Sequence, residues 1–323
     1  MPLKGKLPKP LLTIILPAFN VEKYIEQCIS SILNQTFKNF ELIIADDCST
    51  DNTKNIINSI VDDRIIVTHN QSNLGKTKTV NKIFAMTNGK YITVHDSDDW
   101  SDLTRFEKQI DWLEKSEDRI MCGTGYQSYN SNNEIIENFV PLVEYNDIKN
   151  AIKFTGQFHG PTIVFKKDSL DGELIYRKYF NDNYEDTDLA YRMFQKGICS
   201  NLTEPLFFYR ILPNSLCRNQ YTIRNSQLYK VVVHLAQQRE TFGEDDLMKN
   251  DIDSVDKYFN KITEHYKYDK GLIYREGASY YLYWKYYKKA INYSLKSIIV
   301  SPFNLKNIRT LFYCLRKSIK NVF

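Results

Sequence analysis

Over its first 130 residues the chain switches repeatedly between two hydrophobic periods. Short apolar runs read as buried strands, and the stretches after them, with apolar residues three and four apart, read as amphipathic helices. The first run is Leu12-Thr13-Ile14-Ile15-Leu16, closed by Pro17; beyond the turn Ala18-Phe19-Asn20, apolar side chains recur at Val21, Ile25, Cys28, Ile29, Ile32 and Leu33. Three further runs follow the same plan: Leu42-Ile43-Ile44-Ala45, Ile65-Ile66-Val67 and Tyr91-Ile92-Thr93-Val94, with helices expected from about residue 53, near 78–86 and near 103–113. Strand–helix alternation of this kind predicts an α/β fold: a Rossmann-like, mostly parallel central sheet with helices on both faces. Ligands bind such sheets beyond the carboxyl ends of the strands. The polar segments Pro17-Ala18-Phe19-Asn20, Asp46-Asp47-Cys48-Ser49-Thr50-Asp51 and Asp96-Ser97-Asp98-Asp99 all sit there. Three strand ends therefore converge on one crevice, and two of them are acidic.

The remainder is less regular. Strands are expected at 121–129 and 162–165, and a helix at 185–195 that Gly197 stops. From about residue 222 the chain becomes helical, aromatic and basic, which divides it into regions 1–220 and 221–323. Within the second, Ala278, Tyr281, Ala290 and Pro302 are spaced as in a single tetratricopeptide unit.

At 323 residues there is ample chain for a full core. No stretch reaches the roughly 18–20 apolar residues that span a bilayer. Residues 1–10 are basic without an apolar core, and the run 11–16 is too short for a secretion signal, so a cytoplasmic protein is expected. The six cysteines (Cys28, Cys48, Cys122, Cys199, Cys217 and Cys314) form no CxxC pair and no His/Cys cluster, as expected of reduced, mostly buried thiols. The net charge of +4 conceals an asymmetry: residues 281–323 hold nine Lys or Arg and no acid, leaving −5 on the rest. The two regions want different partners.

Asp96, Asp98 and Asp99 crowd three carboxylates into four residues. Such groups repel one another unless a cation neutralises them. Magnesium or manganese does so with oxygen ligands and keeps positions open for phosphate oxygens; a metal so held would stabilise a departing diphosphate. The alternative is a solvated acidic turn or helix cap, since Ser101 and Asp102 open the next helix.

The chain resembles glycosyltransferase family 2, whose members have the GT-A fold and invert configuration at the sugar carbon. The resemblance covers about the first 215 residues and rests on segments in order: Ile14-Ile15-Leu16-Pro17-Ala18-Phe19-Asn20, Ser30-Ser31-Ile32-Leu33-Asn34-Gln35-Thr36, Ile44-Ala45-Asp46-Asp47-Cys48-Ser49, Asn73-Leu74-Gly75, Asn88-Gly89-Lys90, the Asp96–Asp99 cluster and Tyr184-Glu185-Asp186-Thr187-Asp188. It implies that Pro17, Phe19 and Asn20 border the nucleobase and that Asp47 reads the N3–H of a uracil. Asn73 and Gly75 would lie near the nucleotide, Asp96 and Asp98 near ribose or metal, with Asp98 and Asp99 as the ligands of Mn2+ or Mg2+. Asp186 would be the general base that takes the proton of the acceptor hydroxyl, with Glu185 beside it in a helix first turn that favours anionic side chains. Asp188 and Arg192 are spaced as a helix-surface ion pair.

In the segment Phe158-His159-Gly160-Pro161-Thr162, His159 would face diphosphate or acceptor, or serve structure alone. One departure stands out: Tyr209-Arg210-Ile211-Leu212 has Leu212 where the family often has a metal- or phosphate-binding His, which leaves Arg210 or Arg218 as phosphate partners. The function so implied is transfer of a sugar from a nucleotide sugar, most simply a UDP-sugar, to a glycan or lipid-linked acceptor in surface polysaccharide synthesis. A nucleotidyltransferase would need a glycine-rich basic loop after the first strand, which Pro17-Ala18-Phe19-Asn20 is not. A non-catalytic carbohydrate binder would not need Asp186. In the C-terminal region, aromatics beside cations suit either an anionic membrane surface or a packed helical cap. No motif accompanies them that would suit nucleic acid.

Overall fold

The computed structural model describes residues 9–130, 133–181, 183–212 and 221–319. They form two compact units, Met1–Pro213 and Asn214–Phe323.

The first unit is built on one nine-stranded sheet. Strands β1 (Leu12–Ala18), β2 (Phe40–Asp46), β3 (Ile65–His69) and β4 (Tyr91–Val94) are the four expected apolar runs. They pair in parallel in the order β3-β2-β1-β4. Helices α1 (Ile25–Leu33), α2 (Thr53–Ser59), α3 (Lys76–Phe84) and α4 (Arg105–Glu114) connect and cover them. Leu12, Ile14, Leu16, Ile25, Cys28, Ile29, Leu42 and Phe106 are among the residues of the resulting core.

The sheet then changes character. β8 (Val164–Lys166) runs antiparallel to both β4 and β6 (Arg119–Tyr129). β9 (Ile198–Arg210) lies parallel to β6, while the two-residue β5 (Trp100–Ser101) and β7 (Ile135–Phe139) attach antiparallel. α5 (Tyr145–Ala151) and α6 (Glu185–Phe194) complete the unit. Neither β5, β7 nor β9 is signalled by periodicity. In β9 the alternation breaks at Glu204-Pro205, where its register with β6 shifts, as a proline inside a paired strand requires.

Two quoted sequence segments turn out to hold the frame. Gln35 is fully buried; its amide donates to the carbonyls of Asp102 and Ser31 and accepts the N–H of Phe106, tying α1 to the start of α4. At the amino ends of β1 and β2 Glu41 accepts from Thr13 Oγ1 at 2.6 Å and from Asn88 N at 2.7 Å, and Gly89 N donates to Thr13 Oγ1. A Cβ on Gly89 would lie 2.5 Å from Thr13 N, so only glycine allows this approach.

Where β1 and β4 part, the crevice opens. His95 N donates to Ile15 O at 2.9 Å. The next rung of a parallel ladder would need an N–H from Pro17, which proline lacks. β2 stays paired with β1 through Asp46 and Ala18.

The second unit is helical: α7 (Ile223–Phe242), α8 (Ile252–Thr263), α9 (His265–Tyr268), α10 (Leu272–Tyr283), α11 (Tyr287–Val300) and α12 (Leu305–Ile319). Thr222 caps α7 by accepting from Asn225 N, and Gly243 ends it at φ 78°. Ala278, Tyr281, Ala290 and Cys314 form a small core across α10, α11 and α12. Buried Asn307 supports it, donating to the carbonyls of Ser297 and Ser301 at 2.7 Å. Cys28, Cys122, Cys199 and Cys314 are buried free thiols and Cys48 is partly exposed, while Cys217 lies outside the described residues.

Replacing Gly89 by Ala is expected to destabilise the first unit by roughly 1–3 kcal/mol, read as a lower urea midpoint; an unchanged midpoint would show that the Thr13–Gly89 approach is not tight.

Candidate active site

The turn after β4 places the acidic cluster where β1 and β4 separate. Arg210, at the end of β9, clamps it. Its backbone N–H donates to Asp99 Oδ1 at 2.6 Å, and its Nε donates to the carbonyl of Asp98 at 2.9 Å. The guanidinium lies over the rings of Tyr24 and Trp100, 4.7 and 4.6 Å from their centroids, and donates to Gln27. Arg210 is thus tied to the turn by backbone and side chain; Arg218 lies outside the described residues. Leu212, in the place of the family's His, is half-buried just past β9.

The three carboxylates differ in setting. Asp98 is half-buried, and burial together with the nearby charge of Asp96 pushes its carboxyl up to about 6. Asp99 is 1 % exposed, and burial plus the charges of Asp98 and Asp96 hold its pKa well above the usual range. Its Oδ2 is buried with no hydrogen-bond partner. Asp96 goes the other way: burial would raise its pKa, but Lys76 outweighs that and lowers it. Lys76 Nζ stands 2.6 Å from Asp96 Oδ1.

Behind the turn, His95 is wholly buried. Its ring nitrogens lie 2.8 Å from the Asp96 carbonyl and 3.0 Å from Ser101 Oγ. Burial, with Arg105 nearby, lowers its pKa to about 3, so the ring is neutral. Nδ1–H donating to the carbonyl and Nε2 accepting from the hydroxyl is the tautomer these partners select. Buried Arg105 donates to Ser101 Oγ at 2.9 Å and to Pro161 O at 2.7 Å, so one polar chain joins the acidic turn to the His159–Pro161 segment.

The residues expected near a nucleotide are stitched together by Asp47. Its carboxylate, almost fully buried, accepts from Asn70 Nδ2 at 2.7 Å, Leu74 N at 2.9 Å and Gly75 N at 2.9 Å. A carboxylate has about four acceptor positions, so Asp47 fixes the 70–75 loop first and keeps little more than one position for a base. Asn73 Oδ1 also accepts from Gly75 N. Gly75, at φ 83°, needs the freedom of glycine and delivers Lys76 to the start of α3. Asn20, at φ 52°, accepts from Thr50 N at 2.8 Å and so links the ends of β1 and β2. Pro17 is half-buried beside them, and the ring of Phe19 is 43 % exposed, available as a face for a planar base.

Across the crevice, α6 presents Glu185 and Asp186 in its first turn, after Tyr184 at φ 63°. A positive φ in so bulky a residue is strained. Asp186 Oδ1 accepts from Thr187 N at 2.6 Å. Its other oxygen lies against Gly160, where a Cβ would be only 2.1 Å away. Gly160 is therefore a cradle for this carboxylate. His159 faces both Asp186 and Asp96, yet burial wins and lowers its pKa to about 4. It packs on Tyr126, ring centroids 4.5 Å apart, and its Nε2 is buried without a partner. Glu185 is buried and, with Asp186, faces Tyr176, whose hydroxyl burial pushes up strongly.

Asp188 corrects a sequence expectation. It does pair with Arg192, at 3.0 Å, but both are buried, and Arg177 closes the same carboxylate from the other side. This is an internal tie holding α6, not a surface pair. Sequence reasoning also missed Lys76, His95 and Arg105. Lys76 was detectable only as a cation directly after the Asn73-Leu74-Gly75 loop.

As to a cation, no group of three or more His, Cys, Asp or Glu among the described residues could hold one alone. The orphaned Asp99 Oδ2 and the raised pKa values of Asp98 and Asp99 do fit a turn that a divalent cation would neutralise. Asp98 offers the open side, and Asp99 enters only through Oδ2.

The family profile described as Glycosyl transferase family 2 matches residues 13–172. The Bacillus subtilis protein TuaG, named as a teichuronic acid biosynthesis glycosyltransferase, is 32% identical over 211 residues, 60% of this chain and 83% of TuaG. WfaP of Escherichia coli, named a UDP-Glc:alpha-D-GlcNAc-diphosphoundecaprenol beta-1,3-glucosyltransferase, is 41% identical over 104 residues, 32% of this chain and 41% of WfaP. Among solved structures, S. aureus TarS 1-349 in complex with UDP-GlcNAc superposes with a TM-score of 0.58 at 17% identity, covering 96% of this chain and 88% of that one. The last is a likeness of fold.

For the metal-free protein the Asp98 shift fixes a sign. A carboxyl raised from 3.8 to about 6 in the folded state costs stability once ionised, so stability falls as pH rises through that window. Asp98→Asn is expected to melt higher than wild type above pH ~6 and equally below pH ~4; a variant that melts lower at neutral pH would show that the turn is not repulsive.

Proposed function

The chain belongs to glycosyltransferase family 2, and from that premise we propose that it moves a sugar from a UDP-sugar to a hydroxyl of a glycan or lipid-linked acceptor, with inversion, in surface polysaccharide synthesis. The observation that carries the mechanism is the carboxylate of Asp186, lodged against Gly160 beside His159, a ring that feels the charges of both Asp186 and Asp96. Phe19 and Pro17 border the base, and Asp47, already holding the 70–75 loop, offers its remaining acceptor position to the uracil N3–H. WfaP, whose name gives UDP-Glc as donor and a diphosphoundecaprenol-linked sugar as acceptor, supports this choice of substrates.

Asp98, backed by Asp99 Oδ2, would hold Mn2+ or Mg2+, and a bound cation would neutralise charge on the departing diphosphate. Asp186 takes the acceptor's proton as the acceptor oxygen bonds to the anomeric carbon and the bond from that carbon to the diphosphate oxygen breaks. Attack from the side opposite the leaving group gives inversion. Asp96 lies toward the ribose, and neutral His159 shapes the acceptor side.

No helix among the described residues is long and apolar enough to cross a membrane. We place the enzyme at the cytoplasmic face of the membrane, held by the second unit. There Ile299, Phe303 and Phe312 are exposed, on or between the helices that also bear Lys296, Lys306, Arg309 and Arg316. Apolar side chains inserted at the headgroup level and cations drawn to anionic lipid would act together. The full chain is expected to sediment with vesicles rich in anionic lipid and much less as salt is raised; equal sedimentation with neutral vesicles would contradict the charge contribution.

Release of UDP from a panel of UDP-sugars, with a lipid-linked or glycan acceptor, tests the reaction. Wild type should turn over, lose activity in EDTA and regain it with Mn2+ or Mg2+. Asp186→Asn should lose about 10²–10⁴-fold in kcat while still binding UDP. Full activity in Asp186→Asn would overturn its role as base.

A further inference from the structure

Lys76 enters the crevice from the loop after β3, yet its ammonium is given to the carboxylate turn that follows β4, across β2 and β1 in the sheet. It is the first residue of α3, directly after Gly75, whose N–H is pinned by Asp47. Its Nζ lies 2.6 Å from Asp96 Oδ1. Both side chains border the crevice, at 21% and 24% exposure, so the pair is neither locked in the core nor freely solvated. Glu185 and Tyr176 face the same ammonium from the acceptor side. An ammonium has three N–H donors, and one is given to Asp96.

Two consequences follow. With Lys76 in place, the turn presents to an incoming divalent cation a net charge smaller by one than its three carboxylates would give. A diphosphate brings anionic oxygens into the same crevice, and the donors of Lys76 not used on Asp96 can turn to them; Asp96 is then released. We propose that Lys76 is the built-in counter-ion of the acidic turn, occupying Asp96 until a nucleotide diphosphate arrives, and so making divalent-cation binding conditional on the nucleotide. The inference rests on the metal reading above and assigns Lys76 as a positioning residue rather than a catalytic one. Because coupling between two ligands is reciprocal, the cation must strengthen nucleotide binding by the factor by which the nucleotide strengthens cation binding.

The test is Mn2+ affinity of the full chain, measured from the free Mn2+ signal in electron paramagnetic resonance, with and without UDP. Wild type should bind Mn2+ weakly alone and at least about tenfold more tightly with UDP. Lys76→Met should bind Mn2+ alone roughly tenfold more tightly than wild type, because one opposing charge has left the site, and its gain from UDP should shrink. Lys76→Arg, which keeps the charge, should behave as wild type; a merely structural role for the side chain would not separate Met from Arg in this way. Lys76→Gln replaces the Met variant should that one fail to fold. An unchanged donor-free affinity in Lys76→Met, or Lys76→Arg behaving like Lys76→Met, overturns the inference while leaving the metal reading intact. Wild type that takes up no Mn2+ even with UDP overturns both.

Discussion

Like charges held at the end of β4 set the terms for everything around them. Asp96, Asp98 and Asp99 occupy one turn, and each unit charge brought within a few ångströms of another costs several kcal/mol at the effective dielectric of a protein surface, about 4 kcal/mol at 4 Å. The surrounding structure meets this cost with partners from other elements. Arg210 reaches from β9 to hold the turn by backbone and guanidinium, Lys76 reaches from α3 to hold Asp96, and neutral His95 donates to the carbonyl of Asp96. Even so, Asp99 Oδ2 is left without a partner. A cation arriving with a diphosphate would complete the turn.

Each holder belongs to a different element, and this makes the site a property of the whole first unit. Asp47 organises the carboxyl ends of β2 and β3 by binding the backbone of the 70–75 loop, and that loop delivers Lys76. Arg105 spans from Ser101 to the carbonyl of Pro161, so the acidic turn and the cradle of Asp186 share one buried polar chain. The Asp188 carboxylate between Arg177 and Arg192 fixes the helix that carries Asp186. Removing one partner from such a buried tie typically costs about 3–5 kcal/mol, so this part of the protein is rigid where the chemistry needs rigid placement.

How much of this was legible in the sequence follows from the range of each interaction. The four parallel strands and their helices are local patterns, and the polar strand ends are visible because they interrupt those patterns. β9 was not visible: Glu204-Pro205 breaks its alternation, and its pairing with β6 is set by residues about eighty positions away. Gln35 and Asn88-Gly89 were legible as family segments but not as the ties they prove to be, since nothing local tells which backbone groups a buried amide or carboxylate will satisfy. The same limit hid Lys76 and misplaced Asp188. A lone lysine, or an acid and an arginine four apart on a helix, is ordinary surface chemistry until the fold buries it.

The most direct measurement is a crystal structure of the full chain with UDP and Mn2+, with anomalous data collected at the manganese edge. An anomalous peak is expected between Asp98 and the diphosphate, with the uracil against Phe19 and within hydrogen-bonding reach of Asp47. A manganese peak elsewhere on the chain, or UDP bound away from the carboxyl ends of β1, β2 and β4, would contradict the reading of the acidic turn as the platform for cation and diphosphate.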